Sequence, residues 1–439
     1  MGAKGQMRGR ASLRAAKGDG TGTDHEARGE WSAQSITALT LLTLISTFNY
    51  FDRGVLSLVL QLIKDEMHLK DTTLGFISSL VAVYAIVGLP VALIADRWNR
   101  RNIVAIGCAV WSVMTLATGF ASNVFQLGVA RLMMAAGESC GVAPSQSMLS
   151  DIFSRKTLPV AIAIFTCASS ISLIFYSPIA GWVAQHYGWR MTFIVSGVPG
   201  LILAAAFLLA VREPARHAHT EQAGVIETIS FLLGARSFLC ILVGAAFMGA
   251  YIYGMSAWGS VFLIRVHHLN VQTIGALISP ARGLISAIGI LIGGGLTSWL
   301  TRHHEGWRGW IAGLACFGIV PCDLLFVLSD KNLVWIVAML ASSLVSIMHQ
   351  PAAYSALIAI ARPRMRSTSI ALNLLTTTVV GQILGPILIG AANDWLHARY
   401  GDIAIRYSLL IAIACCALGA FAYFMSGFFL ERDAARAAR

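Results

Sequence analysis

Charge is what this chain has least of. Of its 439 residues, 12% are Asp, Glu, Lys or Arg, while 56% are hydrophobic; the mean hydropathy is +0.71. A soluble protein of this length carries about a quarter charged residues, so water-soluble classes are excluded. Several motifs are also missing. There is no glycine-rich phosphate loop ending in lysine, no histidine pair at metal-ligand spacing and no nucleophile elbow. The chain therefore reads as no enzyme, with no cofactor and no metal, and an ion gradient is left as its energy source. The eight cysteines (108, 140, 167, 240, 316, 322, 415 and 416) all fall in apolar runs. They read as small apolar fillers, neither disulfide partners nor ligands. Short alternating segments of the barrel type are absent as well.

What is present is long apolar runs. About 20 apolar residues cross a bilayer as a helix. Twelve such runs predict an all-α membrane protein: 35–61, 72–95, 102–122, 124–150, 159–184, 190–211, 237–264, 271–299, 308–328, 332–360, 367–393 and 403–429. Very short connections between runs 3 and 4 and between runs 5 and 6 make antiparallel hairpins. With both termini cytoplasmic, the inside segments hold 22 of the 32 Lys and Arg residues, the bias expected of membrane topology. The net charge of +11 is thus mostly topology, and no nucleic-acid partner is needed. The expected location is the bacterial inner membrane, as a monomer. Residues 1–34 form a basic cytoplasmic tail, expected to be disordered and solvated and not a signal peptide. Residues 35–211 form a first six-helix bundle, 212–236 a linker, 237–429 a second bundle and 430–439 a tail. Within the linker, "IETISFLLGARS" suits a short helix on the membrane surface.

The halves echo each other. "SRKTLPVAIAI" at 154–164 resembles "PRMRSTSIALN" at 363–373, and "SPIAG" at 177–181 resembles "GPILI" at 385–389 at nearly the same offset. Two parallel six-helix repeats fit the architecture of a major facilitator transporter, in which one half rocks against the other around a central site.

The segment "ALIADRWNRRNI", Ala92 to Ile103, joins runs 2 and 3. It resembles the major facilitator signature G-x-x-x-D-R-x-G-R-R, with Ala92 and Asn99 in place of the glycines and Asp96, Arg97, Arg100 and Arg101 retained. Asp96 would meet the N-terminus of helix 11, whose partial positive charge favours a carboxylate. That contact makes an inner gate. In the second half Ser298 and Trp299 stand where the Asp and Arg would be, so the lock is asymmetric.

Asp52 and Arg53 lie inside the first run, in "NYFDRGVLSLVL". A charge in the middle of a membrane helix costs at least ~2.5–3.5 kcal/mol, so it persists only beside a partner or a cavity. Helix 4 supplies partners in "ARLMMAAGESCGVAPS", where Arg131 and Glu138, seven residues apart, share a face. At 1.5 Å per residue Asp52 falls about level with Arg131, and Arg53 can reach toward Glu138. The four charges sum to zero. Such a tetrad can fix packing. A carboxylate whose arginine moves during rocking can also bind and release a proton. The coupling role is favoured, with Asp52 and Glu138 both open as the titrating group.

"NYFDR", "ADRWNRR", "RLMMAAGE", "SDIFSR" and "VREP", with "WGSVFLIRVHHL" and "RPRMRSTSIALNLL…GQILGPILIGAANDWL" in the second half, resemble the spinster family of major facilitator lipid transporters. The resemblance covers most of the chain. It implies export of sphingosine-phosphate or lysophospholipid, proton coupling, and roles in coupling and gating for Asp52, Arg53 and Glu138.

Remaining polar residues point to a substrate site. Arg282 either faces the cavity and binds an anionic head group, bidentate toward phosphate, or caps carbonyls near Pro280. His349 and Gln350 are candidates for the cavity wall, as is Tyr251. Asp323 is expected near the outer rim. The inward faces of helices 1, 4, 7 and 10 offer Met133, Met134, Phe247, Met248, Tyr251, Met255, Met348 and Tyr354. Flexible methionines suit a chain of variable shape, so a lysolipid or sphingoid phosphate is the first expectation. A small polar organic anion is the alternative; it would require a ring of polar groups. A non-transporting receptor would need a sensory domain or long loop, and the sequence shows neither.

Overall fold

The computed structural model describes residues 31–95, 98–154, 157–214 and 225–438. Asp96, Arg97 and nearly all of the basic tail lie outside the described residues. Those that are described form helices and no strands. Apolar side chains face outward in numbers no soluble protein tolerates: Phe125, Leu209, Leu291 and Leu333 are each more than three-quarters exposed. This is the surface of a protein solvated by lipid, whose backbone polar groups must all be satisfied within the helices.

Twelve membrane-length spans are present among the described residues. In chain order they are α1 (Ala33–Met67), α2 (Asp71–Ser79 and Val83–Ala95, joined by a 3-10 turn), α3 (Arg100–Gly119) and α4 (Val124–Glu138 and Val142–Ile152). Next, α5 begins at Leu158–Thr166, continues through Ala168–Ile171 and a π turn at Ser172–Tyr176, and runs on into Ser177–Ala210. Gly188 breaks that last helix with φ 80°, a backbone only glycine adopts freely. The part before the break completes α5 and the part after it is α6. The second half contains α7 (Arg236–His267), α8 (Val271–Thr273, a π turn at Ile274–Ile278, then Ser279–Leu300), α9 (Trp307–Leu328), α10 (Asn332–Ile360), α11 (Arg366–Tyr400) and α12 (Ala404–Ala438).

Helix ends follow their side chains. Ser32, Asn99, Asn123 and Asn270 each accept a hydrogen bond from the backbone N–H three residues on, the role of an N-cap. The repeat is clearest where α1 and α7 stop. Each closes on a histidine in the left-handed region, His68 at φ 51° and His268 at φ 53°. In both halves a leucine follows whose N–H returns to the preceding turn, Leu69 to Lys64 and Leu269 to Leu263. The π turns repeat too, between α5 and α8, and each is followed at once by Ser-Pro. The extra residue accommodates a proline ring that an α-helix would reject, and the Ser279 hydroxyl donates to the Ile274 carbonyl at 3.1 Å.

One sequence expectation shifts at the end of the second half. The last helix runs on to Ala438 where a tail was expected from 430, because "ERDAARAA" is strongly helix-forming. Asp433 ties it down, accepting from the Ser237 N–H at 2.8 Å and hydroxyl at 2.6 Å. The linker helix covers Val225–Leu233. The guanidinium groups of Arg362 and Arg436 each lie over its Phe231 ring, 4.7 Å from the centroid.

The termini of α1 and α12 mark one end of the bundle, here the terminal end; the other is the distal end. At the distal end the halves touch closely. Gly75 of α2 packs on α11, where a Cβ would come 2.4 Å from the Pro386 carbonyl. Gly275 of α8 packs on α5, where a Cβ would come 2.5 Å from the Ser177 carbonyl. Hydrogen bonds and ion pairs between described residues of the two halves also lie at this end. The bundle is therefore closed distally, with a cavity between the halves behind the closure.

Candidate transport site

Asp52 and Arg53 are neighbours on α1 and point about 100° apart. That divergence sends one into the first bundle and the other toward the cavity. Asp52 is 3% exposed. One oxygen accepts from the Thr115 hydroxyl of α3, and the other has no hydrogen-bond partner among the described residues. Arg53 donates from Nε to Glu138 Oε2 at 2.8 Å, and its guanidinium covers the Tyr84 ring of α2 at 4.2 Å. The expected Arg53–Glu138 pairing is present.

Arg131 is differently placed. It is fully buried but makes no ion pair with Asp52. Its guanidinium covers Phe193 of α6 at 4.4 Å, and Nη1 meets the Met134 sulfur at 3.0 Å. Equal depth on two helices does not ensure contact when a third helix supplies an aromatic face. Arg131 Nε and Nη2, Glu138 Oε1, Asp52 Oδ1 and Arg53 Nη2 all lack a hydrogen-bond partner among the described residues. Each such group costs about 1–3 kcal/mol. A network this incompletely satisfied has polar capacity to spare for a different arrangement.

Between the halves lie two adjoining compartments of about 290 Å³ each. Phe51, Gly54, Ser57, Leu173, Ser177 and Ser256 line both. The wall is rich in hydroxyls. Ser57 of α1, Ser78 of α2, Ser169, Ser172 and Ser177 of α5, Ser256 and Ser260 of α7, Ser279 and Ser286 of α8 and Ser346 of α10 all face it. Tyr50, Tyr253 and Gln382 join them, as do two cations, Arg53 and Arg282. Among the described residues no Asp or Glu lines either compartment.

This corrects the expected methionine wall. Met133 is 45% exposed and lines neither compartment, and Met134 is buried inside the first bundle. Met248 is buried against Gly419 of α12, while Met255 does line the cavity. His349 is buried in the second bundle, with Nδ1 2.6 Å from the Ser346 carbonyl and its ring against Tyr423 of α12. Arg282 takes the cavity position, donating from Nε to the Ser343 hydroxyl at 3.2 Å. Tyr251 lines the cavity and donates to Asp323 Oδ2 at 2.7 Å. Asp323 is thus 2% exposed inside the second bundle, not at a rim. Helices that are apolar all round do not reveal in sequence which face meets the cavity.

At the terminal end Arg100 gathers the first bundle. It pairs with Asp151 of α4 at 2.5 Å and Glu213 after α6 at 2.8 Å, and also donates to Ser147. The Arg101 N–H meets the other Glu213 oxygen at 2.8 Å, and its side chain reaches the Leu208 carbonyl. Asp151 and Glu213 belong to "SDIF" and "VREP", motifs visible in the sequence without an assigned role. The gate expected of Asp96 and Arg97 lies outside the described residues.

The distal closure was not anticipated. Arg265 of α7 forms a bidentate pair with Asp71 of α2 at 2.7 and 2.9 Å, and its Nε meets Gln61 of α1 at 2.8 Å. Lys64 adds a second cation to Asp71 at 2.7 Å. Asp394 of α11 caps the N-terminus of α2, accepting from the Asp71 and Thr72 N–H groups at 3.0 and 2.8 Å and from the Thr72 hydroxyl at 2.5 Å. A carboxylate at a helix N-terminus is held both by hydrogen bonds and by the dipole.

The chain is similar to known proteins over nearly its whole length. An "MFS-type efflux pump" of Mycolicibacterium smegmatis is 28% identical across 95% of this chain and 98% of its own. The sphingosine-1-phosphate transporter SPNS2 of Xenopus tropicalis is 22% identical across 93% of this chain and 84% of its own. The "Probable galactarate/D-glucarate transporter GudP" of Bacillus subtilis is 26% identical over 58% of this chain and 62% of its own. Among solved structures, a bacterial homologue of the human lysosomal transporter Spinster, inward-facing and occupied, superposes with TM-score 0.81 at 24% identity, covering 92% of this chain and 98% of that one. The nucleoside transporter NupG superposes at 0.72 with 14% identity, covering 89% and 99%. The Major Facilitator Superfamily profile matches residues 42–386. With twelve spans in two repeats around a cavity, and that profile across most of its length, this chain belongs to the Major Facilitator Superfamily.

Proposed function

We propose that this chain is a proton-coupled secondary transporter of an organic anion, working by alternating access in the bacterial inner membrane with both termini cytoplasmic. In that orientation the distal end is the outer one, and the structure described is closed on the outer side. The observation that carries the reading is the cavity wall: two guanidinium groups and many hydroxyls, with no carboxylate among the described lining residues to repel an anion. Each polar group of a buried ligand must find a partner, and this wall can supply many.

Coupling runs through Arg53. It serves the cavity and Glu138 at once. An anion that draws the guanidinium toward itself leaves Glu138 without its counter-charge in a buried site, and the carboxylate then takes a proton. Asp52, beside Thr115 and within the field of Arg131, is the neighbouring candidate for the same step. The many hydroxyls favour a small polyhydroxylated acid. An amphiphile is the second reading, favoured by an apolar cleft of about 230 Å³ between α1, α5 and α6 that shares Phe51 and Ala180 with the cavity and has room for an acyl chain. The full-length similarity to SPNS2 supports that reading too.

The test is uptake into proteoliposomes under an imposed pH gradient, with D-glucarate in one arm and lysophosphatidylglycerol in the other. Accumulation in either arm should be lost in Glu138→Gln or Asp52→Asn while substrate exchange without a gradient persists. Gradient-driven accumulation at wild-type rates in both variants would remove the coupling role.

A further inference from the structure

Arg53 and Glu138 account for the first half, but a second buried carboxylate stands behind the cavity's other arginine. Asp323 of α9 is enclosed by α7, α8, α10 and α12. Its hydrogen-bond partners are neutral: the Tyr251 hydroxyl at 2.7 Å and Ser342. It pairs with no Lys or Arg among the described residues. The titratable and charged groups facing it are Tyr251 from α7, Arg282 from α8, Cys416 from α12 and Cys322 on its own helix. Arg282 is the one cation among them. It is held off by serines: its Nε donates to Ser343, beside Ser342, and its head lines the cavity.

The arrangement repeats the logic of the first half with different residues. A cavity arginine stands before a buried acid in each half; in the second half the Tyr251 hydroxyl, not an ion pair, joins that acid to the cavity. A carboxylate in the middle of a membrane helix with no ion pair is a functional-site candidate by default. Packing alone does not explain it, since a hydrophobic residue would fill α9 without the cost of desolvation.

We propose that Asp323 is a second proton-binding site, linked to substrate through Arg282. An anion that engages the Arg282 guanidinium compensates the positive charge that Asp323 otherwise faces. Asp323 then binds a proton. Tyr251 is the route: it passes its hydroxyl proton to Asp323 Oδ2 and receives one that cavity water relays from the bulk as hydronium, so no net charge stays on the phenol or the water. When the anion leaves, Arg282 again faces Asp323 and the proton returns along the same path. The inference rests on the anion-transport reading and adds to it that each half contributes its own proton.

The experiment is an equilibrium one, separate from transport. Binding of D-glucarate and of lysophosphatidylglycerol to the purified full-length protein is measured across pH. Each proton taken up with the ligand weakens Kd about tenfold per pH unit above the range where the free site is protonated. The wild type should show a slope of about two such steps. Asp323→Asn and Glu138→Gln should each show about one, and the double variant should be flat. Tyr251→Phe should keep the wild-type slope while slowing proton release after a pH jump. Should Asp323→Asn fail to fold, infrared difference spectra of Glu138→Gln provide the check, because a protonated-carboxyl band must still rise on binding. An unchanged slope in Asp323→Asn, no band in Glu138→Gln, or no pH-dependent binding of either probe overturns the inference. Gradient-driven uptake that survives any of these results leaves the transport reading standing.

Discussion

The distal closure offers the sharpest test of the conformational reading. Arg265→Ala removes the guanidinium that holds Asp71 in two hydrogen bonds, with side chains 5% and 3% exposed. Breaking a buried pair by deleting one partner costs about 3–5 kcal/mol. Lys64 remains 2.7 Å from Asp71 and takes over part of the compensation, which leaves about 2–3 kcal/mol as the net loss. The loss falls on the distally closed state alone, because α2 and α7 belong to different halves and part when that end opens. The ratio of closed to open should therefore fall roughly 30- to 150-fold.

Spin labels at Lys70 and His397, both exposed at the distal end, report that ratio by pulsed dipolar spectroscopy. The wild type should give a short distance between them, and Arg265→Ala a population displaced to longer distance. Arg399→Ala, a nearby charge with no ion pair to a described residue, is the control. An Arg265→Ala distribution that matches the wild type would mean that Gly75 against Pro386 closes this end by packing alone, and the electrostatic account would fail.

Two further outcomes follow from single side chains. Arg282→Ala should weaken binding of an anionic ligand by tenfold or more, read by thermal-shift titration, while Arg302→Ala should leave it within twofold, because only the first lines the cavity. Arg100→Lys should lower the thermal midpoint of the protein in detergent by several degrees, since an ammonium cannot serve Asp151, Glu213 and Ser147 together as a planar guanidinium does; an unchanged midpoint would make that cluster a surface accident.

Much of the fold was legible because lipid imposes so simple a rule. Runs of apolar residues long enough to span must be helices, and all twelve predicted runs lie on observed spans. The halves were legible from weak echoes, although the strongest one, the left-handed histidine that ends α1 and α7, was missed. "EMHLKD" and "RVHHLN" share only His-Leu, and the kinship is in the backbone. The charged site was legible in part for the same reason as the fold: a charge in a membrane helix stands out. Arg53 and Glu138 were found that way. Arg131 was grouped with them, but its aromatic partner on α6 could not be inferred from spacing on α4. The cavity wall was the least legible. Ser169, Ser279 and Ser346 each bond to a carbonyl of their own helix and so carry no signal of which side is open. Asp71 and Asp394 fell at helix ends, where charge is ordinary, and only their contact across the halves gives them meaning.

Placed together, the two aspartates at helix ends suggest how the states are balanced. Distally, Asp394 of α11 caps the N-terminus of α2. At the terminal end the expectation from the signature motif is that Asp96 meets the N-terminus of α11 when that end closes. The same two helices would then exchange one carboxylate–dipole contact for another as the protein rocks. Each contact is worth about 1–2 kcal/mol when partly buried. Exchange of like for like keeps the two states within a few kcal/mol, as a carrier requires, whereas a lock at one end alone would trap it. Asp394→Asn should therefore shift the population toward the distally open state by roughly 5- to 30-fold, and Asp96→Asn should shift it the other way by a similar factor. The double variant should return near the wild-type ratio, while both gates open more readily and transport loses its barrier to leak. Spin-label pairs at both ends of α2 and α11 follow the ratio, and efflux of preloaded substrate follows the leak. A double variant that stays as displaced as Asp394→Asn alone would show that the terminal end closes by other means, and the exchange would be wrong.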